Sequence, residues 1–152
     1  VAVVELGASW IISWMKHMDQ AYRAFRRLQD LSQVQMQPSE YVRKHIKVTP
    51  FAGEDVGWLL NSGAEDLLLF ASDYPHHEGT YPYSTESLRR AFHDWDETEM
   101  KQVLSENAAE VYSFDLDALA PLAAEHGPTF DEVKVPLDGI PKGATSPAFF
   151  KA

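Results

Sequence analysis

The chain has 152 residues, 45% of them apolar and 24% charged, which sets a globular protein as the expectation and counts against disorder. Its 13 Lys and Arg against 23 Asp and Glu leave a net charge of -10, which repels phosphate backbones and anionic lipid and excludes nucleic acid and membrane surfaces as expected partners. With no cysteine, disulfides and thiolate metal sites are impossible, so a metal would have to be held by histidine and carboxylate.

The chain opens on Val1 to Glu5, a nearly continuous β-branched run that predicts a parallel strand buried on both faces. A strand at the first residue, without an initiator methionine or a leading loop, raises the expectation of further sequence upstream. The turn Gly7-Ala8-Ser9 follows, with Ser9 as a candidate N-cap. Ile11, Trp14, Met15, Met18, Tyr22 and Phe25 then recur at helical spacing, while Lys16, Asp19, Gln20, Arg23, Arg26 and Arg27 take the opposite face, which predicts one long amphipathic helix.

After the Gln-rich stretch Gln33 to Gln37, Pro38-Ser39-Glu40 starts a short helix ending near Arg43. His45 to Phe51 reads as a second strand, and Glu54-Asp55 supplies the acidic first turn of a helix through Leu60, stopped by Gly63. Leu67 to Ala71 is the third and most apolar strand. A Pro-, Gly-, Tyr- and His-rich loop runs from Tyr74 to Tyr83, and Ser84-Thr85-Glu86 opens a helix carrying Leu88, Ala91, Phe92 and Trp95. A further helix from Asp96 carries Met100, Val103 and Leu104. From Asp115 a last helical segment through Leu119 and Leu122 gives way to a tail punctuated by Pro128, Pro136, Pro141 and Pro147.

Alternation of strands and helices with no hairpin signal predicts an α/β fold with a parallel sheet and right-handed crossovers. Ligands of such sheets gather at the C-terminal strand ends, where this chain places Glu5, Thr49 and Asp73. Asp73 follows a run of large apolar residues, and a carboxylate there needs a cation or several donors. On spacing alone it reads equally as a metal ligand or general base and as a loop-fixing carboxylate. The four tryptophans, in helical settings, read as core, and His17, His45, His93 and His126 as structural or solvated.

Ser72-Asp73-Tyr74-Pro75-His76, followed by Glu78-Gly79, resembles the last-strand signature of the amidohydrolase-related family of metal-dependent barrels. Glu106 to Phe114 resembles the closing helix of that family, and Val3 to Trp10 its sixth-strand segment, so the resemblance covers residues 1–114 in the right order. It implies the last three strand-helix units of a (β/α)8 barrel over residues 1–114, with residues 115–152 as a C-terminal helix and wrapping tail packed on the body or on a second subunit. It further implies a metal-dependent hydrolase or decarboxylase of a small acid, aromatic acids included, or of an amide or lactone, with zinc or manganese as cofactor.

By that resemblance Asp73 binds or faces the metal, His76 shapes the pocket rim, and Glu5 stands where many relatives present a histidine, as a carboxylate that can support the site or bind substrate; Glu78 and Tyr81 read equally as lining the substrate entrance and as stabilising the loop. No His-x-His occurs in the chain, so the paired histidines of the family's first strand have no counterpart and metal binding by this polypeptide alone is expected to be weak. The competing expectation is a catalytically inactive half-barrel that buries its open strand edges against a copy of itself. A stand-alone doubly wound domain is a third and weaker reading, for want of a glycine-rich phosphate loop. The lack of any long apolar segment or secretory leader sets a soluble, cytoplasmic protein as the expectation.

Overall fold

Strand pairing is confined to very short stretches in the computed structural model, which describes residues 1–150. Ala2–Val3 (β1) pairs in parallel with Lys47–Val48 (β2), Ala2 opposite Lys47 and Val3 opposite Val48. On the other side of β2, Val48 forms a parallel bridge to Leu68, with Val48 N donating to Leu67 O at 2.8 Å and Leu69 N donating to Val48 O at 2.9 Å. The three parallel segments stand in the expected order, yet each is much shorter than the predicted Val1 to Glu5, His45 to Phe51 and Leu67 to Ala71.

Neighbours explain the shortening. β1 has no strand on its outer side among the described residues, and the third segment meets a helix on its own outer side. That helix is built from α5 (Glu97–Lys101), a π-turn over Gln102–Glu106 and α6 (Asn107–Tyr112). In the π-turn Asn107 N donates to Gln102 O, five residues back, and the wider turn accompanies a Val103 carbonyl that accepts from Phe70 N at 3.3 Å. Buried Asn107 completes the seal, its Nδ2 donating to Glu65 O at 2.7 Å and Leu68 O at 2.8 Å. A side chain and a helix carbonyl thus take the place of a next strand.

The long first helix forms as α1 (Ser9–Phe25) and packs against α2 (Pro38–His45). Its buried stripe is Ile11, Ile12 and Met15, with Met18 half-buried. Trp14 and Phe25 were expected on the same stripe but are exposed: the Trp14 ring lies beside Trp10 at a centroid distance of 5.7 Å, and Phe25 lies beyond Asp19, where α1 meets the start of α2; Trp58 is exposed as well, while Trp10 and Trp95 pack against the core. Asp19, expected to face solvent, instead ties the two helices together by accepting from Ser39 N at 2.9 Å and Ser39 Oγ at 2.8 Å. Pro38 at the start of α2 and Glu40 Oε2, which accepts from Gln37 N at 2.6 Å, account for where that helix begins. His45 ends α2 rather than opening the strand.

α3 (Val56–Asn61) and α4 (Ser84–Phe92) complete the layer over the sheet. Val48, Leu59, Leu67, Leu68, Ile11 and Val103 are the fully buried centre of the core. Beyond α6 the chain behaves in two ways. α7 (Leu116–His126) buries nothing, and Leu116, Leu119 and Leu122 stay exposed. α8 (Phe130–Val133) and the rest of the tail return to α4: Arg89 donates to Val135 O and Pro136 O, each at 2.7 Å, and Phe149 is buried beside Tyr83. Among the described residues no helix is long and apolar enough to cross a membrane.

Asp66, at the entrance to the third segment, pairs with Arg43. Burial pushes its carboxyl above the ordinary carboxylate range and outweighs the attraction of the Arg43 guanidinium. A raised pKa means tighter proton binding in the folded state, so stability from this group is present below the unfolded value of about 3.9 and is lost as pH rises through the folded one. Asp66→Asn therefore gains on the parent chain as pH rises from about 3 to about 6, read from urea midpoints. A difference that moves the other way would show that the Arg43 pair, not burial, dominates.

Candidate metal centre

Glu5 and Asp73 leave the C-terminal ends of the first and third parallel segments, and both adopt left-handed backbone, at φ 57° and φ 56°. Aspartate tolerates this region better than glutamate, and non-glycine residues held there are concentrated where a surrounding structure dictates a geometry. The loop after Asp73 turns back at once. His76 N donates to Asp73 O at 2.8 Å, Gly79 N to His76 O at 3.1 Å, and Thr80 N to Ser72 O at 2.8 Å. The returning leg lies so close that a Cβ on Gly79 would stand 2.7 Å from the carbonyl oxygens of both Ser72 and Asp73. Thr80 is buried, and its hydroxyl meets Ser84 Oγ at 2.8 Å, which anchors the loop to the start of α4.

This fold-back carries His76 toward Asp73, with Nδ1 3.6 Å from Oδ1. Glu5 joins them from the neighbouring strand end, so that one ligand atom from each of Glu5, Asp73 and His76 lies within 4.8 Å of the others. Two carboxylates and an imidazole suit zinc or manganese, and three protein ligands with an open side is the arrangement of catalytic rather than structural zinc. Ligand atoms bound to one tetrahedral ion stand about 3.3 Å apart, so the trio fits such an ion with a modest inward movement of exposed side chains.

The other sequence-derived candidates lie outside the trio. Glu78 points outward beside His77, with 3.3 Å between its Oε2 and His77 Nε2, and its carbonyl accepts from Ser146 Oγ at 3.1 Å. Tyr81 packs edge-on against Tyr74, centroids 5.2 Å apart, and both rings are largely exposed on the loop carrying Asp73. Thr49 turns its backbone to β1, its N donating to Val3 O at 3.1 Å. His76, expected at the rim, is exposed and also joins the cluster, because the fold-back at Gly79 and Thr80 brings its ring beside Asp73. Ser9 is not the cap of α1: the residue before the helix is Ala8, and the capping acceptor comes from Glu54 on a different loop.

Glu54, Thr80 and Ser146 were missed by sequence reasoning. Glu54 carried a signal, an acidic residue just before a helix, but it was assigned to the helix that follows it. An open groove of about 990 Å³ runs beside the centre between α3 and α4, lined by Phe51, Asp55, Asn61, Phe70, Arg90 and His93 and by none of the trio.

The family model of amidohydrolases matches residues 4–114. No curated protein matches the chain. Among solved structures the fold is similar to an amidohydrolase from Mycobacterium avium subsp. paratuberculosis K-10, at 21% identity and a TM-score of 0.57 over 76% of this chain. The chain spans 28% of the length of that relative. With the family match covering well over half of its residues, the chain belongs to the amidohydrolase family.

Proposed function

We propose that the chain forms the metal-facing wall of a metal-dependent hydrolase, as the last three strand-helix units of a (β/α)8 barrel. The observation that carries this reading is the convergence of Glu5, Asp73 and His76 at the C-terminal ends of parallel segments, where barrels of this kind place their chemistry. A zinc or manganese ion held there would supply Lewis acidity and a bound water of lowered pKa.

The chain's own groups set the rest. Asp73, short, anionic and fixed to a segment end, orients a water and accepts its proton. Tyr74 and Tyr81 offer an apolar rim to the body of a small substrate, an amide, a lactone or an acid, with aromatic acids favoured by the two rings and decarboxylation as a variant of the same polarised site.

Self-association is the second reading, favoured by the unpaired outer side of β1 with Val4 and Leu6 exposed beside it. On the first reading that side receives the remaining barrel strands, and on the second a copy of this chain.

Calorimetric titration with Zn²⁺ or Mn²⁺ tests the centre. One binding event per chain is expected, weakened about 10-fold or more by Glu5→Gln and by His76→Ala. A chain that takes up neither ion, or binds one undisturbed by both substitutions, overturns the proposal.

A further inference from the structure

Resting on that metal-centre reading, we infer that Glu54 is the positioning residue of the centre, the group that fixes the turn presenting Glu5. Its carboxylate collects three backbone amides from two loops. Ala8 N donates to both oxygens, at 2.9 and 3.1 Å, Ser9 N to Oε1 at 2.8 Å and Phe51 N to Oε2 at 2.8 Å. Two of these amides open α1, a helix of 17 residues whose preceding residue has no side-chain acceptor, so the helix dipole adds to the attraction.

Glu5 lies three residues before Ala8, and of the two residues between, Gly7 is held from both sides while Leu6 is exposed. Gly7, buried at φ 69°, favours glycine on backbone grounds, and a Cβ there would press on the clamp itself, 3.1 and 3.2 Å from the Glu54 oxygens and 3.0 Å from Phe51 Cδ2. On the opposite side of the turn, Trp10 Nε1 donates to Gly7 O at 2.9 Å. The left-handed backbone of Glu5 is therefore set by a turn clamped through its amides by Glu54 and through its carbonyl by Trp10.

Glu54 is not one of the three clustered ligands and acts on the centre only through the Gly7 to Ser9 turn that follows Glu5. It belongs to the loop after β2, so the clamp also fixes the spacing between neighbouring strand-end loops. A pure helix cap would contribute stability and leave the ligand geometry untouched. A positioning residue changes how the centre holds an ion.

The test uses Co²⁺ as a spectroscopic probe on the whole chain, with Val133→Ala, a remote core truncation, as a destabilised control. Glu54→Gln, which turns an acceptor pair into one acceptor and one donor facing N–H groups, raises the Co²⁺ dissociation constant about 10- to 100-fold and shifts the visible absorption bands. Glu54→Asp recovers part of both effects, and Val133→Ala moves neither despite its lower melting temperature. Without metal, amide exchange at Leu6 to Ser9 accelerates about 10-fold in Glu54→Gln and stays unchanged in the control. Wild-type affinity and spectrum together with wild-type exchange in Glu54→Gln overturn the inference. If the parent chain takes up no Co²⁺, the metal-centre reading fails, and exchange at Leu6 to Ser9 alone then decides whether Glu54 fixes the turn.

Discussion

Asp73→Asn is expected to remove metal binding from this chain while leaving the fold intact and, on the proposed reading, to abolish turnover wherever this segment sits in a complete barrel. The substitution keeps the shape of the side chain and removes its charge. Asparagine accepts left-handed backbone as readily as aspartate, so the φ of 56° imposes no new strain. The side chain is about one-third exposed, where an isosteric change away from the core costs within about 0.5 kcal/mol.

Function responds very differently. Loss of a group that merely supports a ligand costs about 10- to 100-fold in metal affinity, so loss of a ligand's charge exceeds that, and a general base without charge cannot take a proton. The measurements are a zinc titration beside a thermal melt, and steady-state kinetics where turnover is available. An unfolded variant would mean that Asp73 is a structural residue, and a folded one with undiminished metal affinity would remove it from the centre.

Asn107→Ala carries the largest expected effect on stability. Asn107 is buried and spends both protons of its amide on backbone carbonyls, one of them belonging to fully buried Leu68. Truncation leaves the Leu68 carbonyl in a dry site with no donor, while the Glu65 carbonyl is near enough to the surface to find water. An unmade hydrogen bond of this kind costs about 1–3 kcal/mol, and with the lost amide packing the expected destabilisation is about 2–4 kcal/mol. Set against a total of about 5–15 kcal/mol for a domain, that is a large share. Urea unfolding with an unchanged slope and a lower midpoint is the expected result. A loss below about 1 kcal/mol would mean that water or a shifted helix satisfies the carbonyl.

How far the sequence could be read follows from the range of the interactions involved. α1, α2 and α4 were legible because each carries its apolar stripe, its opening residue or both within one turn of itself. The parallel order of the three segments was legible from strand-helix alternation, but their lengths were not, since a strand's length depends on neighbours that no local pattern specifies. Asp73 stood out because a carboxylate two residues past the apolar run Leu67 to Ala71 needs a partner at a buried strand end. Glu5 and His76 were legible as site candidates but their convergence was not: His76 reaches the cluster through the Gly79 and Thr80 fold-back, and Glu5 through β1 and β2 pairing. Glu54 was the hardest to read, because a residue that looks like the cap of α3 caps α1 instead, 45 residues away along the chain. Asn107 was visible only inside the Glu106-Asn107-Ala108-Ala109 resemblance, with nothing local to say that its amide faces Leu68.

The seal that Asn107 and Val103 place on the third segment gives the sheet a valence of one. Leu68 O and Phe70 N are already spent, so an added strand would have to displace both a side-chain amide and a helix carbonyl, whereas β1 can accept a partner without breaking anything. Growth of the sheet is therefore directed: among the described residues the unspent backbone edge is that of β1, where further strands, from the rest of a barrel or from a copy of this chain, would add first, while closing a barrel onto the third segment would require the closing helix to give up Leu68 O and Phe70 N.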